Sequence, residues 1–278
     1  IDATAFIKCM YWFSQLSKEI EIDEISLIKK LEFYRKETGC LKGISFDTIC
    51  GSGPNGAVIH YRATEKTNRI IKSNDLVLID SGGQYLEGTT DLTRTISREE
   101  CDKDTKKLYT MVLKGLIALS SQVWPEGLTG QDLDPFARQF LWNSYNDYDH
   151  GTGHGVGSYL CVHEGPIGIH KTSKTVLKPG MVLSIEPGFY KKGKFGIRLE
   201  NLVVVKKSKR AGNKDYLSFE SLSCVPFQKN LLDLNCLESK EREWLNTYHS
   251  FVFNSVSSNL SQNERDWLQV QCQPIIIN

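Results

Sequence analysis

Four carboxylates stand where the surrounding pattern predicts burial. Asp80 closes the apolar run Leu76-Val77-Leu78-Ile79, and Asp91 lies between Thr89-Thr90 and Leu92-Thr93. Glu186 ends Met181-Val-Leu-Ser-Ile185, and Glu200 follows Gly196-Ile-Arg-Leu199. One imidazole, His154, sits inside Gly151-Thr-Gly-His-Gly-Val-Gly157. A buried carboxylate without a partner is costly and tends to protonate. Any one of these acids reads equally as a strand-end cap or as a salt-bridge partner of Arg94 or Arg198. Taken together they do not, because two arginines cannot neutralise four acids, whereas two divalent cations can. An oxygen-rich donor set with one imidazole suits manganese, and less specifically iron, cobalt or zinc. Residues 80 and 91 are expected on neighbouring antiparallel strands joined by a short hairpin, with both side chains on one side of the sheet.

Two ions held about 3.5–4 Å apart by shared carboxylates have a defined chemical use. They hold a water and lower its pKa, polarise a carbonyl oxygen and stabilise the tetrahedral intermediate. That is hydrolysis without a nucleophilic side chain. The competing patterns are weak. No G-x-S-x-G elbow occurs, and the glycines of 151–157 lack the Lys-Ser/Thr ending of a phosphate loop. Those glycines are expected to let the backbone pass close to a metal or substrate. His163-Glu164 is not a zincin helix, since position 167 is Ile. His60, His150 and His163 flank the candidate segments, which directs them toward substrate contact and proton transfer.

The elements that must position these groups follow from periodicity. Phe6, Cys9, Met10, Phe13 and Leu16 recur at helical spacing, as do Leu27, Ile28, Leu31 and Tyr34, with Thr38-Gly39 as a C-terminal stop. Phe46 to Tyr61 reads as a strand and a shaped loop, Leu76 to Asp80 as a strand broken by Ser81-Gly82-Gly83, and Thr89 to Ile96 as a second strand. A long amphipathic helix carries Leu108, Met111, Val112, Leu116 and Leu119, started by Asp102 or Asp104. Another carries Leu133, Phe136, Ala137, Phe140 and Leu141, with Pro135 expected in its first turn. Met181 to Ile185 and a long Ile197 to Val205 are predicted strands, Lys206 to Lys214 a solvated basic loop. From Leu217 onward the chain turns polar, with helical pieces around Trp244-Leu245-Tyr248 and Trp267-Leu268. The order helix-helix-strands-helix-helix-strands suggests two similar halves.

Composition limits the remaining classes. Thirty-four basic against 33 acidic residues leave a net charge of +1, which argues against a nucleic-acid groove or a polybasic membrane anchor. No apolar run approaches the roughly 20 residues of a spanning helix, and no signal peptide opens the chain. The first residue is Ile1 rather than Met, so the chain is read as a fragment of a longer polypeptide. Eight cysteines occur without a C-x-x-C pair, and reduced, mostly buried thiols in a cytoplasmic protein are expected.

The constellation as a set resembles a known family. Asp80, Asp91, His154, Glu186 and Glu200, with Asp-Ser-Gly-Gly, Gly-Thr-Thr-Asp-Leu-Thr-Arg, Gly-Thr-Gly-His-Gly-Val-Gly, Val-His-Glu-Gly-Pro and Ile-Glu-Pro-Gly, resemble the pita-bread metallopeptidases of family M24. That group contains methionine aminopeptidase, prolidase, creatinase and aminopeptidase P. The likeness is to the cytosolic-type X-Pro aminopeptidase. It extends from Ile1-Asp2-Ala3 through Pro54-Asn-Gly-Ala-Val-Ile-His-Tyr61 to Glu243-Trp-Leu-Asn-Thr-Tyr-His249.

The resemblance implies an α/β (α+β) pita-bread fold with pseudo-twofold halves and a curved antiparallel sheet. The catalytic domain would span 1–214 and a C-terminal extension packed on it 215–278, with the family's N-terminal domains absent. It also implies two metal ions, usually Mn2+, with Zn2+ or Co2+ as alternatives. By the family pattern Asp80 chelates one ion, His154 and Glu186 hold the other, and Asp91 and Glu200 bridge them. Glu186 is the general-base candidate. His60, His150 and His163 orient substrate and stabilise the intermediate, and Arg198 supports the last ligand. The implied reaction is release of the N-terminal residue from peptides with proline second, by a metal-bridging hydroxide, in a cytoplasmic enzyme for which a homodimer is open. A prolidase or methionine-aminopeptidase-like peptidase is the enzymatic alternative. A catalytically silent peptide-binding module is the non-enzymatic one, though such relatives lose acidic ligands that this sequence retains.

Overall fold

Helices form where apolar side chains recur at helical spacing and a polar side chain closes the first turn. The computed structural model describes residues 1–17, 19–211 and 213–276. Helix Asp2–Ser14 buries Phe6, Cys9, Met10 and Phe13. Helix Glu24–Glu37 buries Leu27 and Leu31, and the Asp23 carboxylate accepts the Ser26 amide at its start. It ends at Thr38, and Gly39 follows at φ +68°, the left-handed conformation that favours glycine. Asp102 caps helix Lys103–Ser120, as expected. In helix Gly130–Trp142 a Thr129/Asp132 capping box forms the start, and Pro135 lies inside the helix rather than in its first turn.

Two antiparallel sheets follow the two helix pairs. The first orders Ile49–Ser52, Val77–Ser81 and Leu92–Ile96. The second orders Val182–Ile185, Asn201–Ala211, Lys214–Ser221 and Val123–Pro125. Helix pair and sheet thus occur twice along the chain. The Lys103–Ser120 helix supplies Val112, Leu113 and Leu116 to a core shared with Leu183, Val203 and Val205.

Three strand expectations are corrected. The Thr89–Ile96 strand is interrupted: Gly88–Thr89 pairs with Gly83–Tyr85 in a small separate sheet, and Leu92–Ile96 pairs with Val77–Ser81. Asp80 and Asp91 are therefore joined by a ten-residue excursion with its own hairpin, not by a short turn. Asp80 pairs with Thr93. Asp91, two residues before Thr93, keeps the same face by the period of two. The Ile197–Val205 strand is also two: Phe195–Arg198 and Asn201–Ala211, with Glu200 at the break. The basic stretch 206–214 is no loop at its start, for Lys206 and Lys207 continue the second strand, paired to Ser218 and Leu217. Residue 212 of that stretch lies outside the described residues. All eight cysteines are free thiols, but only Cys9, Cys50 and Cys272 are buried, and Cys161 is exposed.

Both expected C-terminal helical pieces form, as Ser239–Val256 and Gln262–Gln271. His249 is fully buried on the first, and its Nε2 accepts the Phe227 amide at 3.2 Å. Burial first, then the charges of Lys229 and Arg94, push its pKa down to about 3. In the unfolded chain the imidazole titrates near 6.5. Below that pH the unfolded chain takes a proton the folded chain refuses. The contribution of His249 is therefore fully present above about 6.5 and is lost as pH falls toward 3. The urea midpoint of the parent is expected to drop more between pH 7 and 4.5 than that of His249→Phe. Equal drops would show that His249 does not titrate this way.

Candidate metal centre and active site

The first sheet brings two acids to one edge. Asp80 ends the fully buried strand Val77–Ser81, and Asp91 immediately precedes Leu92–Ile96. Leu92–Ile96 then recruits the segment Arg198–Glu200 through alternate side chains. Thr93 donates its hydroxyl to Glu200 Oε2 at 2.6 Å, and Thr95 exchanges hydrogen bonds with the backbone of Arg198 at 3.1 Å. The Glu200 amide donates to the Thr93 carbonyl at 3.0 Å. Glu200 sits where the Phe195–Arg198 strand has ended and the next has not begun, so its backbone is free to turn toward this edge.

His154 and Glu186 arrive from the second half. The Glu186 amide donates to the Thr152 carbonyl at 2.7 Å. The Ser184 hydroxyl lies 3.0 Å from the His154 amide and 3.2 Å from Glu186 Oε1. Gly153 is required here because a Cβ would strike the Ser184 carbonyl. At that position the close approach is to a neighbouring strand, not to a metal or substrate as the sequence suggested. Nδ1 of His154 faces the Gly155 carbonyl at 3.0 Å. A carbonyl only accepts, so Nδ1 carries the proton and Nε2 presents its lone pair. That lone pair lies 3.4 Å from Asp91 Oδ2 and 3.3 Å from Glu186 Oε1.

These atoms converge as a set of candidate ligands. Asp80 with Asp91 and Glu200, and His154 with Glu186 and Glu200, each place one ligand atom per residue within 4.8 Å of the others. Asp80 Oδ1 and Glu200 Oε1 are buried without a hydrogen-bond partner. Burial, then the charges of Asp80 and Glu186, push the Asp91 carboxyl well above its ordinary range. Burial, then Asp91 and Glu186, do the same to Glu200. Burial also raises Glu186, against the pull of His154 and Arg198. Carboxylates so crowded resist ionising together unless cations lie between them. The residues fit two divalent ions.

Of the two arginines weighed as salt-bridge partners, only Arg198 serves. Its Nη2 meets Asp80 Oδ2 at 2.6 Å, while Nη1 donates to the Tyr190 hydroxyl at 2.8 Å. Arg94 touches no carboxylate; it bonds the main-chain oxygen of Glu200. The Tyr190 hydroxyl, pushed up to about 12 by burial, stands 2.9 Å from His150 Nε2. His150 Nδ1 faces the Gly151 carbonyl at 2.7 Å, so neither ring nitrogen is free. Burial lowers its pKa to about 4, which keeps it neutral near pH 7. His163 lies on the open side, its ring centroid 4.2 Å from that of His154, and it joins a third possible cation group with Asp91 and His154. Burial and the neighbouring His154 lower its pKa. His60 is exposed at the rim.

All nine residues singled out in the sequence, His60, Asp80, Asp91, His150, His154, His163, Glu186, Arg198 and Glu200, line one cavity of about 490 Å³. Sequence reasoning missed Thr93, Thr95, Ser184 and Tyr190. The period-two spacing of Thr93 and Thr95 on a strand carrying a candidate ligand was the signal for the first pair. Tyr190 had none, because it meets Arg198 only through the hairpin Gly188–Lys191 with Phe195–Arg198.

The model of metallopeptidase family M24 matches residues 1–207. The chain belongs to that family. A second model, for the C-terminal region of peptidase M24, matches residues 215–275. Among curated relatives, a probable Xaa-Pro aminopeptidase P of Paracoccidioides brasiliensis is 45% identical over 99% of this chain and 46% of its own length. One of Laccaria bicolor is 44% identical over 99% and 44%. Among solved structures, the X-prolyl aminopeptidase of Caenorhabditis elegans, described as a cytosolic enzyme with a di-nuclear active site, has a TM-score of 0.94 at 39% identity. It is covered over 99% of this chain and 46% of its own. A prolidase from Thermococcus sibiricus has a TM-score of 0.67 at 32% identity, over 81% and 57%. The chain thus spans less than half the length of these two curated relatives and of the C. elegans enzyme. Its fold is the pita-bread fold of the M24 peptidases, with mixed helices and antiparallel sheets as the motifs implied. No helix among the described residues is long and apolar enough to cross a membrane.

Proposed function

We propose that this chain carries the catalytic unit of a metal-dependent aminopeptidase that releases the first residue from peptides with proline second. The observation that carries the reading is the convergence of Asp80, Asp91, His154, Glu186 and Glu200, two of them with unpartnered buried oxygens, at the floor of one cavity. The relatives named for Xaa-Pro aminopeptidase activity support the substrate class.

In this reading Asp80 holds one divalent ion, His154 and Glu186 the other, and Asp91 and Glu200 are shared. When bound, the ions supply an activated water and polarise the scissile carbonyl. The oxygen-rich donor set favours Mn2+. The chain's own residues do the rest. Glu186, whose Oε1 lies 3.2 Å from the Ser184 hydroxyl and 3.3 Å from His154 Nε2, is placed to take a proton at Oε and return it to the leaving nitrogen. Arg198 orients Asp80 through their ion pair, and with His150 fixes the Tyr190 hydroxyl. His60 and His163, at the open side, orient the peptide and stabilise developing charge. The catalytic unit would run over 1–214 with 215–278 packed against it; the last two of those residues lie outside the described set. By analogy with the C. elegans enzyme the setting would be the cytosol, and a homodimer belongs to the same proposal.

Hydrolysis of Arg-Pro-Pro, Gly-Pro and Met-Ala-Ser in the presence of Mn2+ tests the reading. Arg-Pro-Pro is expected to lose its arginine, with little cleavage of the others. Cleavage of Gly-Pro alone would make the chain a prolidase, and Met-Ala-Ser alone a methionine aminopeptidase. No cleavage, with peptide still bound, would make it a binding module.

A further inference from the structure

The segment Glu243-Trp-Leu-Asn-Thr-Tyr-His249 stands apart from the cavity, yet it grips a loop that reaches the metal-centre strands. His249 accepts the Phe227 amide. The Tyr248 hydroxyl lies 2.9 Å from the Val225 carbonyl and 3.1 Å from that of Ser223. Together they hold 223–227 over a guanidinium with no exposure at all, that of Arg94.

Arg94 alternates with Thr93 and Thr95, so it leaves the opposite face of the strand that carries Asp91. Its five N–H groups meet oxygens throughout. Nη1 donates to the main-chain oxygens of Thr93 at 2.9 Å and Glu200 at 2.5 Å. Nη2 donates to Asn201 Oδ1 at 2.7 Å, the Val225 carbonyl at 2.7 Å and the Tyr248 hydroxyl at 3.0 Å. Nε reaches the Pro226 carbonyl at 3.3 Å, and the Phe227 ring covers the guanidinium plane at 4.1 Å. One planar, rigid fork thus spans both strands that present the shared carboxylates, and the C-terminal region closes its far side.

We infer that Arg94 is a positioning residue for Glu200, and that the C-terminal region acts on the metal centre through it. The inference rests on the metal-centre reading above. Groups outside the ligand sphere that orient ligands typically affect metal affinity by about 10–100-fold. Arg94 does so through the Glu200 backbone, where the ligand's direction is set by the break between two strands.

The test is a titration of the metal-free 278-residue chain with Mn2+ alone, free Mn2+ being counted by electron paramagnetic resonance. Tyr248→Phe removes the hydroxyl and keeps the ring; Arg94→Lys keeps the charge and loses the fork. Trp244→Phe perturbs the same helix, because Trp244 stacks on Tyr248 with centroids 5.2 Å apart, without bonding Arg94. Asp91→Asn marks loss of a ligand. Tyr248→Phe is expected to weaken Mn2+ binding about 10-fold and Arg94→Lys further, toward about 100-fold, while Trp244→Phe binds as the parent does. Parent-like binding by both Tyr248→Phe and Arg94→Lys overturns the inference. So does equal weakening in Trp244→Phe, which would mean general loosening of the helix. Loss of metal in Asp91→Asn alone leaves the metal centre standing without the clamp, whereas parent-like binding in Asp91→Asn removes the centre and the clamp with it.

Discussion

Asp91→Asn is expected to bind fewer than two Mn2+ per chain and to lose more than roughly 100-fold in turnover, since substitutions outside the ligand sphere already cost about 10–100-fold. The substitution is nearly isosteric and removes only charge. Asp91 is buried among Asp80, Glu186 and Glu200, and its carboxyl is pushed well above the usual carboxylate range. Without metal, the neutral amide relieves the crowding that the carboxylate suffers. The metal-free Asp91→Asn protein is therefore expected to melt no lower than the metal-free parent. Added Mn2+ should raise the melting temperature of the parent, because a ligand that binds only the folded chain stabilises it. It should raise that of the variant little or not at all. Calorimetry with and without Mn2+, alongside elemental analysis of the loaded proteins, reads both halves. Unchanged stoichiometry would remove Asp91 from the shared-ligand role. Lower stability of the metal-free variant would contradict the electrostatic account of the site.

His163→Ala is expected to lower turnover by about 10²–10⁴-fold while both ions stay bound. The ring lies against His154 on the open side of the cavity, where a peptide would enter. Its proximity to Asp91 and His154 also makes it a conceivable third ligand, and the two roles separate cleanly. A rate loss with full metal content places His163 in substrate handling. A rate loss with one ion missing makes it a ligand, and the division of roles proposed here is then wrong. A near-parent rate leaves it as packing for His154. His150 cannot substitute for it, because both of its ring nitrogens are engaged and its low pKa keeps it neutral.

The sequence by itself was enough to single out the five candidate ligands that converge on the cavity. A charged carboxylate at the end of a buried strand violates the local pattern strongly enough to be seen without coordinates, and four such violations needed a common cause. Helix positions were equally legible, because the 3.6-residue spacing, the Thr38-Gly39 stop and the capping residue Asp102 act within a few residues of one another. What the sequence misjudged were interruptions: the strands expected over 89–96 and 197–205 both break at an acid, Asp91 and Glu200. Periodicity cannot report such breaks, since the residues on either side keep their β character. Only the tertiary structure decided the partners. Arg94 and Arg198 are equivalent by composition and strand context, yet one pairs with Asp80 and the other binds carbonyls contributed by residues more than a hundred positions away. A guanidinium's role depends on which oxygens surround it once both halves and the C-terminal region have packed. That arrangement is a property of long-range contacts, to which local spacing is blind.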